Sequence, residues 1–249
     1  VGLEGMSLPD LTVAILTYKR PWYAMLTLGA LIQKLGYGGV KRYVVSDGGS
    51  PQEQLDAYAQ VLAETGAKWE ILVNDNMAQM VNGVAAVAGD LWFVTVDDFM
   101  PCRKVDITPD VRFILESEDV GMIRMGRLAF WEHGPDEQIW ARLRHLGGLH
   151  WWVFDKERTD HPYICALNTS LYHRRFWDFY GDIPDEDVPP DMPGNAETEG
   201  VRRYNAMPEG PTVAVPMRFG EDCGDWQEPI WHFGMYRTDE YAAAGGRRM

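Results

Sequence analysis

The chain has 249 residues, 46% of them hydrophobic, which is enough to bury a substantial core and excludes a disordered or fibrous protein. Its 23 basic and 37 acidic residues give a formal charge of −14, which disfavours non-specific attraction to nucleic acid or anionic membrane. Three scattered cysteines (Cys102, Cys165, Cys223) supply neither a disulfide framework nor a structural zinc site and fit a reducing compartment.

Leu11 to Leu16 reads as a short apolar strand, followed by Thr17-Tyr18-Lys19-Arg20-Pro21. Pro21 opens a helix in which Trp22, Met25, Leu26, Ala30 and Leu31 recur at helical spacing before Gly36. A second strand at Tyr43-Val44-Val45 leads into Ser46-Asp47-Gly48-Gly49-Ser50, and Ser50, Pro51 and Glu53 have the spacing of a capping box. Trp69 to Val73 is a third strand, Asn74-Asp75-Asn76 a turn and cap, and Ala78 to Ala88 a helix. The fourth strand, Leu91 to Val96, ends in Asp97-Asp98.

Strands separated by helices predict an α/β fold with a mostly parallel sheet covered on both faces and polar loops at the strands' carboxyl ends. Thr17, Asp47, Asn74 and Asp97 would then line one rim. Two adjacent carboxylates repel each other unless a cation or proton compensates, and a divalent metal carrying a phosphorylated ligand does so. The bland alternative is an acidic strand end facing solvent. The glycine clusters lack the dinucleotide fingerprint and the phosphate-loop Gly-Lys-Ser/Thr motif, and read as turns.

The second half is less regular. A helix starts at Thr108-Pro109, a strand runs from Val120 to Met125, and a tract dense in Trp, His and Arg follows. Residues 182–193 are acidic and proline-rich and 195–209 polar, which predicts a long excursion or lid. No repeat, coiled-coil heptad or membrane-spanning apolar stretch is visible. The chain therefore reads as soluble and cytoplasmic, although Val1 at its start is compatible with a piece of a longer protein.

In order and spacing, Leu11 to Pro21, Val44 to Ser50 and Gly89 to Pro101 resemble the nucleotide-sugar-dependent glycosyltransferases of the GT-A fold, family 2. The resemblance covers about the first hundred residues. It implies a Rossmann-like sheet whose residues 1–101 hold the nucleotide sugar, with an irregular acceptor-binding and catalytic half of the same domain at 102–249. It assigns Thr17 and Asp47 to the nucleoside, Asn74 to the vicinity of the base, Asp98 to Mn²⁺ or Mg²⁺, and Asp97 to the ribose, the sugar or a metal-bound water. The family's metal signature is Asp-any-Asp, and here the acids are adjacent. Lys19 and Arg20 read either as donor contacts or as a solvated helix entrance.

Inverting transfer needs a carboxylate to deprotonate the acceptor hydroxyl. The candidates are Asp187 first, then Asp222, with Glu197 and Glu199 open. The resemblance, through the late histidine that several metal-dependent GT-A enzymes place beside the diphosphate, implies His232 as a third metal ligand; the alternative is a histidine packed between Trp231 and Phe233. His150-Trp151-Trp152 reads as a sugar-stacking platform or as core.

The activity expected from the resemblance is sugar transfer from a nucleoside-diphosphate sugar to a carbohydrate or other hydroxyl acceptor. The alternatives are a nucleotidyltransferase releasing pyrophosphate and a non-catalytic carbohydrate-binding protein. A modified nucleic acid is a narrower acceptor class, with Arg142, Arg144, His145, Arg174 and Arg175 as candidate phosphate contacts.

Overall fold

Long apolar runs at the start of the chain become the centre of a sheet. The computed structural model describes residues 7–125, 141–156, 169–184, 195–217 and 230–232. Strand β1 (Leu11–Thr17) is buried at every position, as a strand covered on both faces must be. Its side chains alternate between two cores. Leu11, Val13 and Ile15 pack with one helical layer, and Ala14 and Leu16 with the other.

Helix α1 (Pro21–Lys34) begins with its proline at the first turn, and β2 (Leu35–Gly36) follows directly. Then come β3 (Val40–Asp47), α2 (Gln52–Ala63), β4 (Lys68–Val73), α3 (Met77–Val87), β5 (Leu91–Val96), β6 (Phe99–Pro101), β7 (Val105–Asp106), α4 (Thr108–Glu116) and β8 (Val120–Arg124). The second half adds β9 (Ala141–Leu146), β10 (Leu149–Phe154), β11 (Ser170–His173), α5 (Arg174–Tyr180), α6 (Asn195–Ala206), β12 (Thr212–Pro216) and β13 (Ile230–His232).

The main sheet has nine strands in the order β4-β3-β1-β5-β11-β8-β12-β10-β9. The first four positions are parallel, and β11 and β10 run against all the others. The result is a Rossmann-like, mostly parallel sheet between helices, in which both halves of the chain share one surface. Residues of α1, α2 and α4 join one core, and those of α3, α5 and α6 the other.

Three local expectations change. The capping box at Ser50 does not form: α2 has Pro51 at its cap with no side-chain bond, because the Ser50 amide turns back to Asp47 and its hydroxyl is buried. The polar stretch after Asn195 is a helix rather than a lid. Tyr204 anchors it in the core, and Arg203 Nη1 donates to the carbonyls of Tyr180 (3.1 Å) and Asp182 (2.5 Å). Trp151 is core rather than platform: it is fully buried, stacked on Phe113 at 4.2 Å, with Nε1 donating to Asp110 across 2.9 Å.

Candidate functional site

The parallel register brings the polar strand ends to one level. Thr17 pairs with Asp47, and Leu16 with Val96. Each turn is then pinned to its neighbour: the Gly48 amide donates to Thr17 O (2.8 Å), Asn74 N to Asp47 O (2.8 Å) and Asp97 N to Leu16 O (3.0 Å). Of the residues singled out by sequence, Thr17, Asp47, Asn74, Asp97 and Asp98 thus stand on one rim.

At its centre are the two acids, each with a side chain less than a tenth exposed. Thr17 Oγ1 donates to Asp97 Oδ2 across 3.0 Å. Helix α1 holds the same residue from behind, with Thr27 Oγ1 donating to the Asp97 carbonyl at 2.7 Å. Arg20, at the N-cap of α1, closes the arrangement: a single atom, Nη1, lies 3.1 Å from Asp97 Oδ1 and 3.0 Å from Asp98 Oδ2.

One guanidinium nitrogen is thus shared between two buried carboxylates. The Asp97 pKa is raised to about 6, by burial first and by the Asp98 charge, against the opposing pull of Arg20, Thr17 and the Tyr18 backbone. The preceding turn is strained as well. Lys19 has φ 53, a left-handed conformation that a non-glycine residue adopts at a cost on the order of 1 kcal/mol.

Asp47 is fully buried. Its Oδ1 accepts from Ser50 N at 2.5 Å, while Oδ2 has no hydrogen-bond partner among the described residues. Gln54 Oε1 is likewise without one, while the Tyr58 OH lies near the Thr17 and Ser50 hydroxyls, which oppose the rise of its pKa. Burial, then the Asp47 charge, pushes the Tyr58 phenol up to about 12, so it remains a donor. Buried polar atoms are nearly always satisfied, so an orphaned carboxylate oxygen beside a turn marks a place where an N–H or O–H group is wanted. The turn itself needs its glycines. A Cβ on Gly48 would lie 2.2 Å from the Tyr18 ring, and Gly49 has φ +91. Asn74 is tied inward, with Nδ2 donating to Ser46 Oγ (2.9 Å) and Leu72 O (3.3 Å).

His232 pairs with Phe99 in the antiparallel β13–β6 ladder, so the backbone of the late histidine runs beside the residue after Asp98. Among the described residues no three His, Cys, Asp or Glu side chains gather as a metal group. Asp97 and Asp98 still suit a hard divalent cation. Both are oxygen donors, their carboxylates converge on one cationic nitrogen, and such ions are commonly held by one or two carboxylates with water and phosphate completing the shell. Asp187 and Asp222 lie outside the described residues, as do the side chains of Glu197 and Glu199.

The arginines considered as phosphate contacts each have a partner within the protein. Arg144 pairs with Asp119, Arg174 caps the carbonyls of Ala88 and Gly89 over the Trp92 ring, and Arg175 Nη1 donates to Ser117 O at 2.7 Å. Arg142 reaches Asp155 at 3.5 Å. Sequence reasoning left the role of Arg20 open and missed Thr27 and Tyr58. The only local hint for Arg20 was a cation directly before the helix-opening Pro21.

No protein-family model matches the sequence, and no curated protein matches it. Solved structures do match in fold. S. aureus TarS (residues 1–349) superposes with a TM-score of 0.55 at 14% identity, over 83% of this chain and 57% of that one. The mannosyltransferase PcManGT from Pyrobaculum calidifontis, solved with GDP-Man and Mn²⁺, gives 0.57 at 15% identity, over 88% of this chain and 59% of that one. GalNAc-T7, solved with UDP, GalNAc and Mn²⁺, gives 0.57 at 14% identity, over 84% and 42%. The chain therefore spans less than two thirds of the length of each. Its described residues include no helix long and apolar enough to cross a membrane. In fold, the chain is a GT-A protein similar to these glycosyltransferases.

Proposed function

We propose that the protein is a metal-dependent glycosyltransferase that moves a sugar from a nucleoside-diphosphate donor to an acceptor hydroxyl, with inversion. The observation that carries this reading is the convergence of Asp97 Oδ1 and Asp98 Oδ2 on one cation position at the carboxyl ends of parallel strands. That is where an open α/β sheet binds its ligand. The ligands solved with PcManGT and GalNAc-T7, and the UDP-GlcNAc solved with TarS, supply the analogy.

In this reading residues 1–101 bind the donor and 102–249 the acceptor. Asp47 accepts from the nucleoside through its orphaned Oδ2, and Thr17 keeps Asp97 oriented toward the ribose or sugar. Asp98, with His232, holds Mn²⁺ or Mg²⁺, which when bound stabilises the charge developing on the leaving diphosphate. Arg20 adds a guanidinium to a protein whose overall charge opposes an anionic donor. A carboxylate from the second half, Asp187 ahead of Asp222, takes the proton from the acceptor oxygen.

The test is a screen of nucleotide sugars with Mn²⁺, scored by release of nucleoside diphosphate, followed by mass detection of the glycosylated acceptor. Release of pyrophosphate from a nucleoside triphosphate would make the protein a nucleotidyltransferase, and sugar binding without turnover would make it a carbohydrate-binding protein.

A further inference from the structure

Arg20 sits where a metal ion would sit. Its Nη1 is within 3.1 Å of Asp97 and 3.0 Å of Asp98, so a divalent cation bridging these same two oxygens would take the place of that nitrogen. The arginine is nevertheless the most accessible member of the trio. Its side chain is 28% exposed, against 6% and 7% for the two acids, so it has a path to water that they lack. It stands between the left-handed Lys19 and the first turn of α1, whose cap carries no side-chain hydrogen bond.

We infer that Arg20 is the resident counter-cation of the metal-free site, displaced by the incoming divalent ion and transferred to the donor diphosphate. The inference rests on the functional reading above and adds a positioning residue to it. In the metal-free protein the Arg20 guanidinium offsets the repulsion between the two buried carboxylates. With a divalent ion supplying that neutralisation, the planar guanidinium would be free to pair with the diphosphate that the ion carries, beside the start of α1. Metal alone must compete with an intramolecular cation, whereas metal arriving with a diphosphate gives the displaced arginine a new anion. The two should therefore bind with positive coupling.

The experiment titrates Mn²⁺ alone, then UDP or GDP in saturating Mn²⁺, into the wild-type protein, Arg20→Gln and Arg20→Lys near neutral pH, with thermal melts as the check on folding. Removing the competitor should tighten Mn²⁺ binding about tenfold in Arg20→Gln and weaken nucleoside diphosphate binding by about the same factor. Arg20→Lys should fall between, since a point charge on a shorter reach bridges two carboxylates less well. In the wild-type protein, the slowly exchanging Arg20 side-chain NMR signals should disappear from the carboxylate-bound position on adding Mg²⁺, a readout that needs no variant.

Equal or weaker Mn²⁺ binding by Arg20→Gln, or unchanged Arg20 signals with Mg²⁺ bound, would overturn the displacement. Tighter Mn²⁺ binding with unchanged nucleoside diphosphate affinity would overturn the transfer to the diphosphate. If the wild-type protein binds neither UDP nor GDP in Mn²⁺, the functional reading itself fails, and the inference fails with it.

Discussion

Thr17 donates its hydroxyl proton to Asp97 Oδ2 across 3.0 Å, joining the end of the first strand to the end of the fifth. This bond orients one carboxylate of the rim and holds its charged form. Thr17→Val keeps the shape and removes the donor. It should destabilise the protein by about 1–3 kcal/mol and raise the Asp97 pKa further. Urea denaturation and carboxyl NMR titration check the two effects.

Asp97 itself should make the metal-free protein pH-sensitive. Its folded pKa, about 6, lies above the ordinary aspartate value of 3.8, so folding favours the protonated form. The stability this confers is complete below about pH 4 and is lost as pH rises through about 6. Asp97→Asn removes the titration. Relative to wild type, in chelator, the variant should gain roughly 2–3 kcal/mol between those limits, read from denaturation midpoints. A difference that is flat with pH would contradict the burial that raises the Asp97 pKa.

Much of this architecture was readable because buried parallel strands are continuous apolar runs: β1 and β5 were placed to within a residue, and the proline starts of α1 and α4 followed from the chain. Asn76 caps α3 through Gln79 N as its position suggested. What escaped was non-local. The Arg20 bridge joins residues 77 and 78 positions apart, and no window of sequence distinguishes it from a solvated charge. Ser50 matched a capping motif by letters, but Asp47 claimed its amide. The α6 segment looked like an excursion because its residues are largely polar; its hold on the core comes through Tyr204 packing against Phe176 and Tyr180.

Asp47 offers a test of nucleoside contact. Asp47→Asn retains an acceptor for the Ser50 amide while replacing the orphaned oxygen by a donor. Nucleoside diphosphate affinity in Mn²⁺ should fall about tenfold or more, with the melting temperature little changed. Calorimetry with UDP and GDP reads this directly, and undiminished affinity would remove Asp47 from the binding site.

The base assignment separates by kinetics. Asp187→Asn should leave donor binding intact and lower transfer by about a hundredfold or more, and Asp222→Asn should do less. The reverse order would move the base to Asp222. If both variants transfer normally, Glu197 and Glu199 become the candidates.

The most direct test of the account is Mn²⁺-dependent release of nucleoside diphosphate from a nucleotide sugar, compared between wild type and Asp98→Asn. The account predicts turnover that requires the metal in wild type and falls by about a hundredfold or more in a variant that stays folded. Near-normal turnover and metal affinity in Asp98→Asn would contradict it.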